Sequence, residues 1–271
     1  MTRGPLAVLE AAVPNFRDAG GLPTGTGSVR RGVVYRSAQM GRLTQSAQAA
    51  LVGLGVGTVV DLRTAEESAH RPDNVPPTVE VVTIDVLADR PHSGVGEVAD
   101  LVNQSERQAS VAAINVAIGE GLAEQHMLET YRHFVTLSSA ITGYRTLFTT
   151  LASGTTATVI HCTAGKDRTG WAVAILQLLA GATREDVMAD YLESNEPMLA
   201  TYGPMLEGFA ALGGDADALS HIMLVHPEYL DSALTRIDAV HGGVHGYLVR
   251  GLGMDPEDVD RLRDRLQDPL N

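Results

Sequence analysis

Between Ala157 and Ala180 an apolar run, a short polar loop and a second apolar run follow one another. Ala157-Thr158-Val159-Ile160 has the length and composition of a buried strand. From Thr169 onward, Trp171, Val173, Ile175, Leu176 and Leu179 mark a buried helix that reaches Ala180. A strand that feeds a helix so directly belongs inside a sheet covered by helices, and the loop His161–Arg168 then lies at the strand's carboxyl end. Backbone N–H groups and the helix dipole combine there into a site for an anion.

The chain has one cysteine, one lysine and one tryptophan, and all three fall in this stretch, at Cys162, Lys166 and Trp171. No intrachain disulfide can form, so a chemical role for the thiol outranks a structural one. A helix N-terminus, a guanidinium and inward-facing N–H groups favour the thiolate, the nucleophilic form. The same groups suit a phosphate dianion, for which Arg168 offers a planar two-pronged donor. The spacing C-x5-R puts a nucleophile under phosphorus and an arginine beside its equatorial oxygens. Thr163, Ala164, Gly165, Lys166, Asp167, Arg168 and Thr169 are the expected phosphate-binding residues. Gly165 gives the loop its backbone freedom, and Thr169 could donate its hydroxyl to the sulfur. His161 reads as a supporting histidine and Trp171 as core packing.

His161-Cys162-Thr163-Ala164-Gly165-Lys166-Asp167-Arg168-Thr169-Gly170 resembles the phosphate loop of cysteine-dependent protein tyrosine phosphatases, and is similar to that of their bacterial, atypical dual-specificity branch. Asn15-Phe16-Arg17-Asp18-Ala19-Gly20-Gly21, Val34-Tyr35-Arg36-Ser37-Ala38, Val59-Val60-Asp61-Leu62-Arg63-Thr64 with Glu66 and Glu67, and Ala189-Asp190-Tyr191-Leu192 with Ser194 and Asn195 match further blocks. The resemblance implies hydrolysis of phosphotyrosine in proteins through a phosphocysteine on Cys162, extending to phosphoserine or phosphothreonine, with no metal or organic cofactor. A similar lysine in lipid-active relatives makes a phosphoinositide phosphatase the alternative, with Lys166 reaching a second anionic group. A catalytically inactive phosphate-binding module is the rival of another class.

Such a reaction needs a proton for the leaving oxygen, and a positioned carboxylic acid supplies about 10²–10⁴ in rate. The Trp-Pro-Asp of well-studied tyrosine phosphatases is missing. Asp85 and Asp89 follow the strand that ends near Ile84, with Asp89 favoured because it lies further into the loop. Asp167, inside the phosphate loop, is the third candidate. Arg17 and Arg36 could orient substrate or brace the loop, with bracing the favoured reading.

The remaining pattern is of strands at Gly32–Arg36, Gly57–Asp61 and Val79–Ile84, alternating with helices that include Thr44–Gly53 and a stretch from Val98 to Leu151 interrupted near Gly119 and Gly121. Thr183 with Asp186 opens a helix to Glu193, and further helices cover Glu196–Leu212, Pro227–Val240, Val244–Leu252 and the tail from Asp255. The expected fold is α/β, a central mostly parallel sheet flanked by helices with additional C-terminal helices, in one domain over residues 1–271. Residues 215–252 are expected to include a helical lid. His241-x3-His245 has metal-ligand spacing, but the glycines around it argue against a rigid pair, and no metal site is expected. A formal charge of −13 argues against nucleic acid as a partner. No apolar run approaches the ~20 residues of a membrane span, and no signal peptide is recognisable. The expected location is cytoplasmic, or outside the cell by export without such a signal.

Overall fold

The computed structural model describes residues 4–90 and 111–269. The main sheet has the order β1 (Arg17–Asp18), β4 (Val34–Ser37), β7 (Ala157–His161), β5 (Val56–Asp61), β6 (Glu80–Thr83). β4, β7, β5 and β6 are parallel, and β1 pairs antiparallel with β4. A small antiparallel sheet joins β2 (Pro23–Thr24), β3 (Gly27–Val29) and β8 (Gln267–Pro269).

The helices among the described residues are α1 (Pro5–Ala12), α2 (Gln45–Gly53), α3 (Ala65–His70), α4 (Val111–Ile118), α5 (Leu122–Thr136), α6 (Ser138–Ser153), α7 (Asp167–Leu179), α8 (Arg184–Leu192), α9 (Asn195–Ala211), α10 (Ala216–Met223), α11 (Pro227–His241), a short α12 (Val244–Gly246) continued by a π-turn at Tyr247–Gly251, and α13 (Pro256–Leu266). None is long and apolar enough to cross a membrane.

Strand alternation divides the core. Val34, Val60 and Ile160 face a large cluster built with α5, α6, α7 and α11, whereas Tyr35, Val59 and Val159 face a smaller one with α1 and α2. With apolar layers on both faces, every residue of β7 is buried, which is why that strand reads as a continuous run. α7 is buried nearly all round. Trp171 is core as expected, with its ring 5.7 Å from Tyr247.

The helical stretch read from Val98 lies outside the described residues as far as 110 and is broken twice beyond them. Glu120 and Gly121 have positive φ and separate α4 from α5. Leu137 is extended and separates α5 from α6. The second break left no local sign, because the N-terminus of α6 is served from elsewhere: Ser139 N donates to Asp89 Oδ2 at 3.3 Å.

The segment 215–252 divides in two. Tyr229, Leu230, Ala233, Leu234 and Ile237 bury α11 in the large core. α10 instead joins a satellite cluster in which Leu219, Ile222 and Met223 meet Ile118, Ala123 and Phe209. This separate cluster joins α4, α9 and α10 to the start of α5.

Candidate active site

In the parallel register Ser37 and Asp61 both lie opposite His161, so the carboxyl ends of three strands surround the loop that β7 feeds. Cys162 is 2% exposed at the strand's end. The loop is held by its carbonyls. Gln39 N donates to Thr163 O at 3.1 Å, Asn15 Nδ2 to Gly165 O at 2.8 Å and Ala164 O at 3.4 Å, and Arg36 Nη2 to Gly165 O at 2.9 Å. In a trans peptide the N–H points opposite the C=O, so pinning these oxygens outward turns the N–H groups of Ala164, Gly165 and Lys166 toward the concave side. Asn15 does this with φ 57°, a left-handed conformation that asparagine tolerates better than most residues.

Arg36 and Arg17 are braces, as expected. Arg36 also donates to Ser194 Oγ at 3.0 Å and Asp190 Oδ2 at 3.3 Å, and Arg17 donates to Asp190 O at 2.7 Å. Gly165 has φ +69°, and a Cβ there would lie 2.2 Å from Ser37 O and 2.7 Å from Ala38 N. Backbone cannot retreat as a flexible side chain would. Gly165→Ala is therefore expected to cost about 3 kcal/mol or more and to abolish tight phosphate binding. Denaturant melts and phosphate titration of the variant check this.

Arg168 is fixed by Glu67, a residue for which the sequence reading had no role. Nη1 donates to Oε2 at 2.6 Å and Nη2 to Oε1 at 2.9 Å, a bidentate fork in which both side chains are about nine-tenths buried. Thr163 Oγ1 also donates to Oε1. Glu67 is in turn held by its own helix: Thr64 and Glu67 form a capping box, with Thr64 N donating to Oε2 at 2.8 Å. Burial would raise the carboxyl's pKa, but Arg168, Thr163 and Thr64 outweigh it and hold Glu67 far below the ordinary glutamate value. Thr64-x-x-Glu67 is a signature visible in sequence. Its tie to an arginine 101 positions later is not.

The cleft over the loop is lined by Cys162, Asp167, Arg168 and Glu67, with Ile222 of α10 and His126 of α5 on its walls, and holds about 70 Å³. Lys166 is 5% exposed. Its Nζ donates to Ile222 O at 2.7 Å and Leu224 O at 3.3 Å and lies 3.0 Å from Asp167 Oδ2. An ammonium that meets the last carbonyls of α10 is favourably placed against the helix dipole. The lysine thus ties the end of α10 to the loop. Asp167 Oδ1 accepts from Tyr131 Oη at 3.1 Å.

Asp85 and Asp89 are not among the residues lining this cleft. Asp85 Oδ1 accepts from Leu87 N at 3.0 Å and Oδ2 from Ala65 N at 3.1 Å, closing a turn and serving the start of α3. Asp89 is exposed and serves α6, and the Ser139 hydrogen bonds hold its carboxyl below the ordinary value, the wrong direction for a proton donor. Here the structure departs from the order of preference read from the sequence: Asp167 is the aspartate at the cleft. Thr169 Oγ1 is buried and has no hydrogen-bond partner among the described residues, Cys162 included. His161 supports the loop, with Nδ1 3.2 Å from Cys162 O and Nε2 3.0 Å from Asp73 Oδ2. Asp61, Asp73 and His161 come close enough to suggest a metal cage, but Arg63 Nη2 already spans the two carboxylates at 2.8 and 2.9 Å. A fixed guanidinium there satisfies the charge that a cation would otherwise neutralise.

A model of the tyrosine phosphatase family matches residues 9–268. The chain belongs to that family. It is 32% identical to the triple specificity protein phosphatase PtpB of Mycobacterium tuberculosis, over 92% of this chain and 95% of that one. It is 26% identical to a tyrosine-protein phosphatase of Nostoc commune, over 85% of this chain and 73% of that one. As a tyrosine phosphatase the protein is a phosphoric monoester hydrolase, and the fold expected from sequence, a mostly parallel sheet between helices, is the one described above.

Proposed function

We propose that this tyrosine phosphatase acts on phosphotyrosine in proteins, and on phosphoserine or phosphothreonine, through a phosphocysteine on Cys162. The observation that carries this reading is the loop itself: its carbonyls are pinned outward by Asn15, Arg36 and Gln39, and Arg168 is pre-aimed by Glu67. Cys162 Sγ attacks phosphorus as the ester P–O bond breaks. The loop N–H groups, the Arg168 Nε–H and the Nη2–H loosely held at 3.4 Å from Thr163 take the equatorial oxygens. Because these donors are already oriented, no reorganisation is needed as charge develops. Asp167 protonates the leaving oxygen. In the second step Asp167 takes a proton from water as the water oxygen attacks phosphorus and the P–S bond breaks, which releases phosphate and the thiolate.

A phosphoinositide reading rests on Lys166, the sole lysine, which sits beside the loop. It requires the ammonium to leave Ile222 O and Leu224 O for a second phosphate. The test is phosphate release from a phosphotyrosine peptide, a phosphothreonine peptide and a set of phosphoinositides, all with EDTA present. Metal-independent release led by the phosphotyrosine peptide supports the proposal. Release confined to the lipids moves the assignment to the phosphoinositide reading. Binding of phosphopeptide without release from any substrate moves it to an inactive binding module.

A further inference from the structure

We infer that Tyr131, backed by Tyr191, is a positioning residue that fixes Asp167 for proton transfer. The inference rests on the reading of Asp167 as the proton donor. Asp167 opens α7, and its Oδ2 lies 3.0 Å from Lys166 Nζ. Its Oδ1 faces the other way, to Tyr131 Oη at 3.1 Å. Tyr131 Oη is 2.6 Å from Tyr191 Oη. Three elements, α5 and the consecutive helices α7 and α8, thus meet in one polar chain inside the large core.

Proton counting gives that chain a direction. Asp167 Oδ1 accepts, and each phenol carries a single proton. Tyr131 therefore gives its proton to Asp167, and Tyr191 gives its own to Tyr131. The reverse order would turn the Tyr191 proton back into a region where that ring is 1% exposed, and an unmet donor in such a place is costly. Burial, with Asp167 nearby, holds both phenols well above their ordinary value. They stay neutral donors at every working pH, so Tyr131 orients the carboxylate without carrying charge itself.

The ring that presents the hydroxyl has little freedom. Tyr131 has no exposed surface and packs against Phe134 at 5.0 Å, Tyr229 at 5.7 Å and, edge-on, Tyr191 at 6.3 Å. With Oδ1 anchored to a clamped phenol, Oδ2 is the oxygen that gives the proton to the leaving group in the first step and takes one from water in the second. A carboxylate free to rotate would present the correct oxygen only part of the time, and small misplacements at a reacting centre are expensive.

The test compares Tyr131→Phe, Tyr191→Phe and Asp167→Asn with the wild type in the full chain, reading kcat/KM on p-nitrophenyl phosphate and on phenyl phosphate. The nitrophenolate leaves readily without a proton, and the phenolate does not. Tyr131→Phe is expected to lower kcat/KM on phenyl phosphate about 10-fold or more, the scale of one hydrogen bond to a charged group, and on p-nitrophenyl phosphate by less than about 2-fold. Tyr191→Phe, which leaves the first link intact, follows the same pattern more weakly and serves if Tyr131→Phe does not fold. Asp167→Asn gives a larger loss of the same selectivity. Equal losses on both esters, or none, in the tyrosine variants while Asp167→Asn stays selective would overturn this inference alone. An Asp167→Asn variant without selectivity would overturn the reading on which it rests.

Discussion

Cys162→Ser is expected to bind a phosphotyrosine peptide and to release no measurable phosphate from it. The substitution is nearly isosteric at a position 2% exposed, so the loop and its pinned carbonyls stay in place and the phosphate still finds its donors. The serine hydroxyl remains protonated and is a far weaker nucleophile than a thiolate. The loss in kcat is expected to be on the order of 10⁴-fold or more, as for other nucleophile removals, while peptide affinity changes little. Calorimetric titration beside steady-state phosphate release measures both. A variant that kept turnover would mean that water attacks phosphorus directly, and the phosphocysteine route would have to be abandoned.

The second large effect is expected at Glu67. Glu67→Ala removes both carboxylate acceptors from Arg168 and leaves a largely buried guanidinium without its counter-charge, held only by the longer contacts to Leu62 O at 3.3 Å and Thr163 Oγ1 at 3.4 Å. Breaking one side of a buried pair costs about 3–5 kcal/mol. The catalytic loss is expected to be about 10²-fold in kcat, the scale of a misplaced reacting group. The two consequences separate in pH. Because the Glu67 carboxyl is depressed in the folded chain, its contribution to stability is complete above the ordinary value of 4.5 and is lost as pH falls through the depressed value. The stability gap between wild type and variant should therefore be wide at neutral pH and narrow in strong acid. Urea melts at several pH values measure that gap. A gap that stayed constant into acid would place the effect in packing instead of in the ion pair.

These two residues also mark how far the sequence could be read. Cys162 and Arg168 were legible because a buried strand, a loop and a buried helix each carry their own periodicity, and the chemistry follows from residue types over a short span. Glu67 was not, because α3 is six residues long with no buried face and so leaves no period to find. Its function depends on a fold that brings Thr64–Glu67 against the loop. The order among the three candidate aspartates was hard to read for a related reason. Distance along the chain placed Asp89 ahead of Asp85, whereas in space one serves α6 and the other α3. Tyr131 looks in sequence like any aromatic of an amphipathic helix. Only its hydroxyl, 3.1 Å from Asp167, sets it apart from a core ring.

Lys166 and the end of α10 bear on how ligands for this protein should be sought. The cleft of about 70 Å³ is less than half of the ~150 Å³ cavity that binds benzene in other proteins. Ile222 lines the wall of that cleft beside the loop. A screen built on small aryl phosphates therefore also reads how well each ring packs against Ile222 and the end of α10. Compounds that carry their own cap for the Ile222 and Leu224 carbonyls would replace the lysine they dislodge, and would be expected to gain residence time over those that leave these oxygens bare.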